Sequence, residues 1–405
     1  MEDATVVEVV TKRGRPLPSA AAWQPRLTSL IAWRNLAHDR VRFAVTLIGI
    51  AFSTVLMGTQ LGMLLNFLHT TSTLIDHAGA DLWITAHGVR TVDLATPMEE
   101  RRRFQALQVE GVAEAEPYLL GFGFWKKPDG VRETVLVIGI EPDATLGQPW
   151  NLEGSFDVRT ALLTPDAVII DRLYANKLGV TAVGQLFEIN DRRVRVVGFT
   201  SGIRTFTQSP YVFMSLRKAR TLSAILSNPE KTITYVPIRL QPGAPIEATR
   251  RLLADRLPDV DVLTAEAFAQ RSRNYWLFST GAGITMISSS VLALLVGAVI
   301  AAQTLYASTI DRLPEYATLR AMGGPRGYLY AIVIKQALIG GLLGYLLGIS
   351  IVLVIAAFGR DSTASPEVPW WMVLAIGTVT EAMCVAASLL SLKKVMSIDP
   401  VKVFR

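Results

Sequence analysis

Four long apolar segments constrain the fold of this sequence more than any other feature. Each reaches the roughly 20 residues that a helix needs to cross a bilayer, and 50% of all 405 residues are hydrophobic. The sequence therefore predicts an α-helical membrane protein with four transmembrane helices. The segments run from about Phe43 to Leu65, Gly283 to Tyr306, Gln336 to Phe358 and Trp370 to Leu392.

Basic residues in the flanks and short loops predict the orientation. Lys and Arg are frequent before the first segment, between the second and third, and after the fourth, whereas the loop between the third and fourth has only Arg360. Because Lys and Arg favour the cytoplasmic side, both termini should be cytoplasmic. The first 42 residues lack the apolar core and cleavage site of a secretory signal, so the first span should remain as an uncleaved anchor.

This topology places residues of about 70 to 275 outside the cytoplasm as one large insert. The insert holds 24 Lys and Arg residues and 24 Asp and Glu residues, so its net charge is zero. The chain's excess of basic residues therefore belongs to its cytoplasmic edges, where it favours anionic membrane lipid or an acidic partner surface. This distribution argues against nucleic-acid binding.

Two uncharged runs are longer than a membrane requires. No Asp, Glu, Lys or Arg occurs from Phe43 to Ile75 or from Asn274 to Ile310. As helices these runs would extend roughly 50 and 55 Å, against a hydrocarbon core of about 30 Å. We expect spans one and two to continue outward as a helical stalk; the alternative is strong tilt or a loop at the outer end.

The insert has the pattern of a large α+β extracytoplasmic domain. Short β-branched runs separated by Gly, Pro, Asn and Asp predict strands, and apolar residues at three- and four-residue steps predict helices. Two subdomains are expected, the second beginning near Trp150. The strand runs are "ETVLVIGI", "AVIID", "QLFEIN", "VRVVGF" and "TYVPIRL"; the helical ones are "MEERRRFQALQVE", "DRLYANKLG" and "PIEATRRLLADRLPDV".

Small residues recur at four-residue spacing in two spans. Such residues let helix backbones approach closely in lipid. They predict helix packing, either within one chain or between two copies. The residues are Gly58 and Gly62 in the first span and Gly340, Gly344 and Gly348 in the third.

The sequence contains no recognisable catalytic or cofactor motif. It has no GxxxxGK[ST] phosphate loop, no GxSxG nucleophile motif and no histidine pair with metal-ligand spacing. Its single cysteine, Cys384, excludes an internal disulfide and a Cys-rich metal site. We therefore expect no enzymatic activity, no catalytic residues, no metal and no cofactor on this chain.

Glu381 is the only acidic residue inside a span. Lys335 lies at a comparable predicted depth in the third span, and ionisable groups inside a membrane usually face protein or water. We hypothesise a Glu381–Lys335 pair that fixes the packing of spans three and four. The alternative is that Lys335 extends to the interface; a proton-relay role for Glu381 is weaker, because no second acidic residue lies in a span.

The stretch "DRLPEYATLRAMGG", Asp311 to Gly324, has the pattern of a short amphipathic helix. Asp311 can cap it, Pro314 fits its first turn, and Gly323, Gly324 and Pro325 can end it. Glu315 and Arg320 point away from its apolar stripe, and the alternative is a solvated connector. The stripe consists of Leu313, Tyr316, Leu319 and Met322.

This stretch resembles the E-I-x-x-L-R-A-x-G pattern of FtsX-like, MacB-type ABC transporter permeases. Tyr316 takes the Ile place, and Gly324 with Pro325 replaces the usual Ala-Ser. "AWRNL" (Ala32 to Leu36) resembles the amphipathic helix before the first span of these permeases, and "IDPVKVFR" (Ile398 to Arg405) resembles their C-terminal end, with Lys402 in place of Glu. The first span looks closest to the DevC-like branch, which is linked to glycolipid export. The matching residues are Glu315, Leu319, Arg320, Ala321 and Gly323.

The resemblance implies a type VII transporter in the cell inner membrane that works by mechanotransmission. A separate ABC ATPase subunit would bind ATP and Mg, and the helix between spans two and three would be its coupling helix. The family also implies a second permease copy, as a homodimer, a periplasmic adaptor (membrane fusion protein) and an outer-membrane channel. The expected function is export of a lipid-like or hydrophobic substrate. A lipoprotein-releasing permease and an FtsX-like regulator of an extracellular cell-wall hydrolase are the alternatives.

These expectations divide the chain into nine segments. The cytoplasmic segments are 1–42, the coupling helix 311–327 and the tail 393–405, and the extracytoplasmic ones are the domain 70–275 and the loop 359–368. The membrane segments are 43–69 and 276–310, which include the stalk, 328–358 and 369–392.

Overall fold

The computed structural model describes residues 40–222, 229–312, 314–315, 318, 326–362 and 365–396. The chain divides into two compact units. We call residues 1–56, 295–350 and 371–405 the helical unit, and residues 57–294 and 351–370 the mixed unit.

Eleven helices and thirteen strands occur in the described residues. The helices are α1 (Arg40–Thr70), α2 (Thr73–Asp76), α3 (Arg101–Ala106), α4 (Val158–Leu163), α5 (Ala175–Leu178), α6 (Leu216–Leu222), α7 (Ile246–Arg256), α8 (Ala265–Phe278), α9 (Gly281–Asp311), α10 (Arg326–Phe358) and α11 (Trp370–Met396). The strands are β1 (Leu82–Ala86), β2 (Met98–Glu99), β3 (Val112–Ala115), β4 (Leu119–Lys126), β5 (Arg132–Ile140), β6 (Leu152–Glu153), β7 (Ala167–Asp171), β8 (Leu186–Ile189), β9 (Arg192–Thr200), β10 (Tyr211–Ser215), β11 (Thr232–Ile233), β12 (Tyr235–Leu240) and β13 (Val260–Thr264).

Helices α1, α9, α10 and α11 are long and apolar enough to cross a membrane, which confirms the predicted four transmembrane helices. In α10, Leu342 and Leu346 are exposed while Gly344 and Gly348 are buried. Large apolar side chains thus point outward, where lipid would solvate them, and small residues face the neighbouring helices.

Both uncharged runs are interrupted near their outer ends, and the helical stalk beyond the membrane stays a prediction. Helix α1 ends at Thr70 and the chain turns before α2, while α8 ends at Phe278 and α9 begins at Gly281. Hydroxyl side chains mark both breaks: Thr70 Oγ1 donates to Asn66 O at 2.8 Å, and Thr280 Oγ1 donates to Trp276 O at 2.6 Å. These hydrogen bonds compete with continuation of the helix.

Four antiparallel strands of the mixed unit form one sheet in the order β13-β1-β12-β3. Leu253 and Leu257, in and just after α7, pack with Leu82 and Ile84 of β1 on one side of it. Phe268 of α8 packs against Trp83, which points to the other side. This alternation is the period-2 pattern of a strand buried on both faces.

Six further strands close into a barrel. Their order is β9-β7-β10-β5-β4-β8, and β8 pairs back onto β9, while β6 extends the sheet from β9. Closure leaves none of these six strands as an unpaired edge. Trp125, Val137 and Val196 belong to one of its buried clusters, and the Trp125 indole N–H donates to Leu178 O at 3.0 Å.

The five predicted strands are confirmed as β5, β7, β8, β9 and β12. The subdomain boundary near Trp150 is wrong, because the barrel strands run from Leu119 to Ser215, between strands of the four-stranded sheet. The first predicted helix is also too long: Met98 and Glu99 form β2, which pairs with β11. Local patterns do not reveal these long-range pairings.

Candidate functional site

Most of the predicted coupling helix lies outside the described residues. This applies to Leu313, Tyr316, Leu319, Arg320, Met322 and Gly323, as it does to "AWRNL" and "IDPVKVFR". Pro314, Glu315 and Thr318 are helical, and Thr318 Oγ1 donates to Pro314 O at 2.8 Å. The Glu315 side chain is exposed. Asp311 is the last residue of α9, so this turn follows the span at once.

Within the helical unit, two of the predicted packing glycines form a close contact between α1 and α10. A Cβ at Gly344 would lie 2.7 Å from Ile50 Cβ, and one at Gly348 would lie 2.6 Å from Thr54 Cβ. These separations are shorter than any normal contact between carbon atoms. Only glycine allows the two backbones to approach this closely.

Within the mixed unit, Gly58 of α1 faces Val352 of α10, and Gly62 faces the loop that follows α10. A Cβ at Gly58 would lie 2.8 Å from Val352 Cγ2, and one at Gly62 would lie 2.8 Å from Pro366 Cβ. Gly340 differs: a Cβ there would have no other atom within 4 Å in the described part of the chain.

Glu381 of α11 lies against Gly341 of α10, a glycine that the sequence analysis did not single out. A Cβ at Gly341 would lie 2.8 Å from Glu381 Oε2, and this oxygen is buried without a hydrogen-bond partner among the described residues. Lys335 is half-buried in α10 and lies about 9 Å along the helix axis from Gly341.

An aromatic cluster lies where α1 and α8 contact the barrel, in the inserted domain, by which we mean the α+β part between α1 and α9. Phe206, in the β9–β10 loop (residues 201–210), packs against Phe67 of α1 at a centroid distance of 5.7 Å and against Trp276 of α8 at 4.0 Å. We call Phe67, Phe206 and Trp276 the junction cluster. It connects both helices to a single loop of the barrel.

A buried carboxyl group lies behind the junction cluster. The Trp276 indole N–H points to Thr91 Oγ1 at 2.9 Å and to Asp93 Oδ2 at 3.3 Å. Burial raises the pKa of the Asp93 carboxyl from its ordinary 3.8 to about 7, and the hydrogen bonds from Trp276 and Thr91 offset part of this rise. Asp93 therefore changes its charge near neutral pH.

A polar contact joins α8 to the break after α1. Arg273 Nε donates to Ser72 Oγ at 3.0 Å, and Ser72 Oγ donates to Asp76 Oδ2 at 2.7 Å. Arg273 Nη2 also lies 3.4 Å from Asp76 Oδ1. The two helix breaks are thus held together by one arginine in addition to the aromatic rings.

No group of three or more His, Cys, Asp or Glu side chains within the described ranges could hold a metal ion. The contacts described above are packed rings, glycine contacts and hydrogen bonds. The junction cluster could not be predicted from the sequence, because its three rings come from distant parts of the chain. The run of hydroxyl residues at Thr70–Thr73 was the only local signal near it.

Comparisons with known proteins agree with this architecture. The sequence model of the MacB-like periplasmic core domain matches residues 43–256, and that of the FtsX-like permease C-terminal region matches residues 287–400.

Two relatives are uncharacterized ABC transporter permeases of Mycobacterium tuberculosis strain H37Rv. One is 26% identical over 381 residues, covering 92% of this chain and 98% of its own; the other is 24% identical over 375 residues, covering 92% and 97%. Among solved structures, the periplasmic region of MacB from Actinobacillus actinomycetemcomitans covers 49% of this chain and 96% of its own, at 13% identity and a TM-score of 0.36.

Proposed function

Because this chain belongs to the family of FtsX-like ABC transporter permeases with a MacB-like periplasmic core domain, we propose that it couples ATP hydrolysis on a partner chain to movement of its inserted domain. It is a multi-pass, non-catalytic transmembrane subunit, and its family carries no cofactor. A separate ABC ATPase binds ATP and Mg. The coupling helix of this chain, residues 311–327, contacts that ATPase through Glu315, Leu319 and the apolar stripe.

The observation that carries this proposal is the continuity of α9. This helix has 31 residues, about 46 Å at 1.5 Å per residue. At its C-terminal end it leads into the helical turn at Pro314, and at its N-terminal end it follows directly on α8, which carries Trp276. A stiff helix between an ATPase contact and a packed domain junction is suited to transmit force rather than to form a passage.

The proposed substrate is lipid-like or hydrophobic, and the transporter exports it by mechanotransmission. The resemblance of the first span to the DevC-like branch supports this substrate class. The zero net charge of residues 70–275 agrees with a domain that does not attract a strongly charged cargo. We further propose that the nine segments predicted from the sequence are the functional divisions of the chain.

The proposed assembly is a homodimer of this chain with two ATPase subunits in the inner membrane. Both termini are cytoplasmic, as the distribution of Lys and Arg indicates. A periplasmic adaptor and an outer-membrane channel would receive the substrate. Within the chain, the glycine contacts hold α1 and α10 together, and Lys335 and Glu381 form a polar pair between spans three and four.

Affinity purification of the tagged chain in mild detergent tests the proposal. We expect an ABC ATPase and an adaptor to be recovered with it. Recovery of a cell-wall hydrolase would instead support a regulatory role, and a second, different permease without an adaptor would support lipoprotein release. Failure to recover any ATPase, with the chain intact and inserted, would contradict the coupling role.

A further inference from the structure

The loop between α10 and α11, described at residues 359–362 and 365–369, is bound to the barrel through Arg204 of the β9–β10 loop. Arg204 Nη2 donates to Arg360 O at 2.7 Å, and Arg204 Nε donates to Ser362 O at 3.1 Å. A guanidinium group presents its donors in a rigid plane, so two bonds fix direction as well as distance. The loop and the barrel are therefore held in one orientation, and both belong to the mixed unit.

The same loop is bound to α1. The Glu367 backbone N–H donates to Gly62 O at 3.0 Å, and Glu367 Oε2 lies 2.7 Å from His69 Nδ1. A side chain at Gly62 would prevent the first contact, because its Cβ would lie 3.0 Å from Glu367 O. Gly62 thus allows the loop, rather than another membrane helix, to approach α1.

The loop is also folded tightly onto the end of α10. A 3-10 turn, Gly359–Asp361, follows the helix, and Ser362 N donates to Gly359 O at 2.9 Å. A Cβ at Gly359 would lie 2.6 Å from Ser365 Oγ, and Ser365 is buried. A displacement of the end of α10 would therefore displace the loop with it.

We propose that Gly62, His69 and Arg204 form a clamp on the α10–α11 loop that fixes the C-terminal end of α10 to α1 and to the barrel of the inserted domain. Helix α10 has 33 residues and begins at Arg326, at the C-terminal end of the predicted coupling helix. The clamp provides a second path for force, beside the path through α9 and the junction cluster. Arg204 and Glu367 are positioning residues on this path, and its role in transport rests on the proposed function.

Spin labels on either side of the clamp test the contact itself. In a Cys384→Ser background, which removes the only cysteine, the labels replace Val183 and Phe358. Val183 is 55% exposed in the turn before strand β8, and Phe358 is 86% exposed at the end of α10. We expect a narrow distance distribution in nanodiscs, with and without the ATPase. Arg204→Ala and Glu367→Ala should each broaden this distance distribution. Arg204→Lys should broaden it less, because an ammonium group can bond one carbonyl oxygen but cannot make the two hydrogen bonds of the planar guanidinium.

Arg132→Ala is the matched control, because Arg132 lies in the same barrel and forms an exposed ion pair with Asp191 at 3.1 Å. The distance distribution of Arg132→Ala should equal that of the unchanged chain. Narrow distributions in both Arg204→Ala and Glu367→Ala would overturn the clamp, as would equal broadening by Arg132→Ala. This measurement needs no ATP, so its outcome does not depend on the coupling role.

A second measurement tests what the clamp does in the assembled transporter. A single label at Val183 in each copy of the dimer should show a distance shift on addition of ATP and vanadate. Arg204→Ala should retain ATP hydrolysis but lose much of this shift. If Arg204→Ala shows the same distance shift as the unchanged transporter, the second path is refuted. If the unchanged transporter shows no shift, that result counts against the proposed function, and the clamp is then judged only by the distances measured within one chain.

Discussion

The ring of Phe206 lies against the ring of Trp276, with their centroids 4.0 Å apart, and this contact joins the barrel to α8. Trp276 precedes the break between α8 and α9, and Gly283 allows that break because a Cβ there would collide with Trp276 O. The Phe206 contact therefore lies directly before the break at which the second span begins.

Replacing Phe206 with alanine should loosen this junction. Phe206 is half-buried, so we expect a loss of about 2 kcal/mol in the free energy of unfolding, below the 3 to 5 kcal/mol of a fully buried ring. Urea unfolding of the full chain in nanodiscs, followed by tryptophan fluorescence, measures it. Phe104→Ala, at a 55% exposed ring, should change the stability little; equal losses in the two variants would mean that the junction has no special role.

Two glycines of one helix should respond in opposite ways to the same substitution. Gly344→Ala places a Cβ 2.7 Å from Ile50 Cβ, and we expect it to destabilise the helices by about 1 to 3 kcal/mol through overpacking. Among the described residues, a Cβ at Gly340 meets no other atom within 4 Å. Gly340→Ala should therefore be neutral or stabilising by up to about 1 kcal/mol, because alanine favours helix. Thermal unfolding in one detergent compares them, and similar melting temperatures would contradict the close contact at Gly344.

Asp93 should make the stability of the inserted domain depend on pH. Burial raises its pKa to about 7 from 3.8, so between these values the folded chain keeps a proton that the unfolded chain has lost. The contribution of Asp93 to stability therefore falls as pH rises through this window and is constant above it.

Asp93→Asn should remove this slope. The variant should be more stable than the unchanged chain at pH 8, with the difference decreasing towards pH 4, because an amide can accept the same hydrogen bonds without acquiring charge. Urea unfolding at several pH values measures the effect, with Glu110→Gln at an exposed position as the control. A constant difference across this range would exclude titration of Asp93 as the cause.

The proposed Lys335–Glu381 pair predicts a characteristic set of mutant effects. Lys335→Gln and Glu381→Gln should each lower the yield of assembled transporter, whereas exchanging the two residues should restore part of it, because a buried charge left without its partner is costly. Size-exclusion chromatography of the purified complex measures the yield. If the exchanged variant is no better than either single variant, packing of Glu381 against Gly341 explains its position and the pairing is refuted.

Features that depend on local sequence could be predicted, whereas features that depend on contacts between distant segments could not. The four spans and the strands such as β5 and β7 follow from local hydrophobic patterns, which one segment carries by itself. Closure of the barrel, the clamp at Arg204 and the junction at Phe206 depend on contacts between distant segments. Gly62 shows both cases: its spacing indicated a close approach, but not that a loop would be the neighbour.

We propose above all that the coupling helix transfers the energy of ATP hydrolysis to this chain. A double substitution in this helix tests that role most directly. The chain with Glu315→Ala and Leu319→Ala, purified with its ATPase in nanodiscs, should insert normally but lose the stimulated ATP hydrolysis and the ATP-dependent distance shift between the Val183 labels. Arg132→Ala should retain both. Normal stimulation and a normal shift in the double variant would contradict the claim.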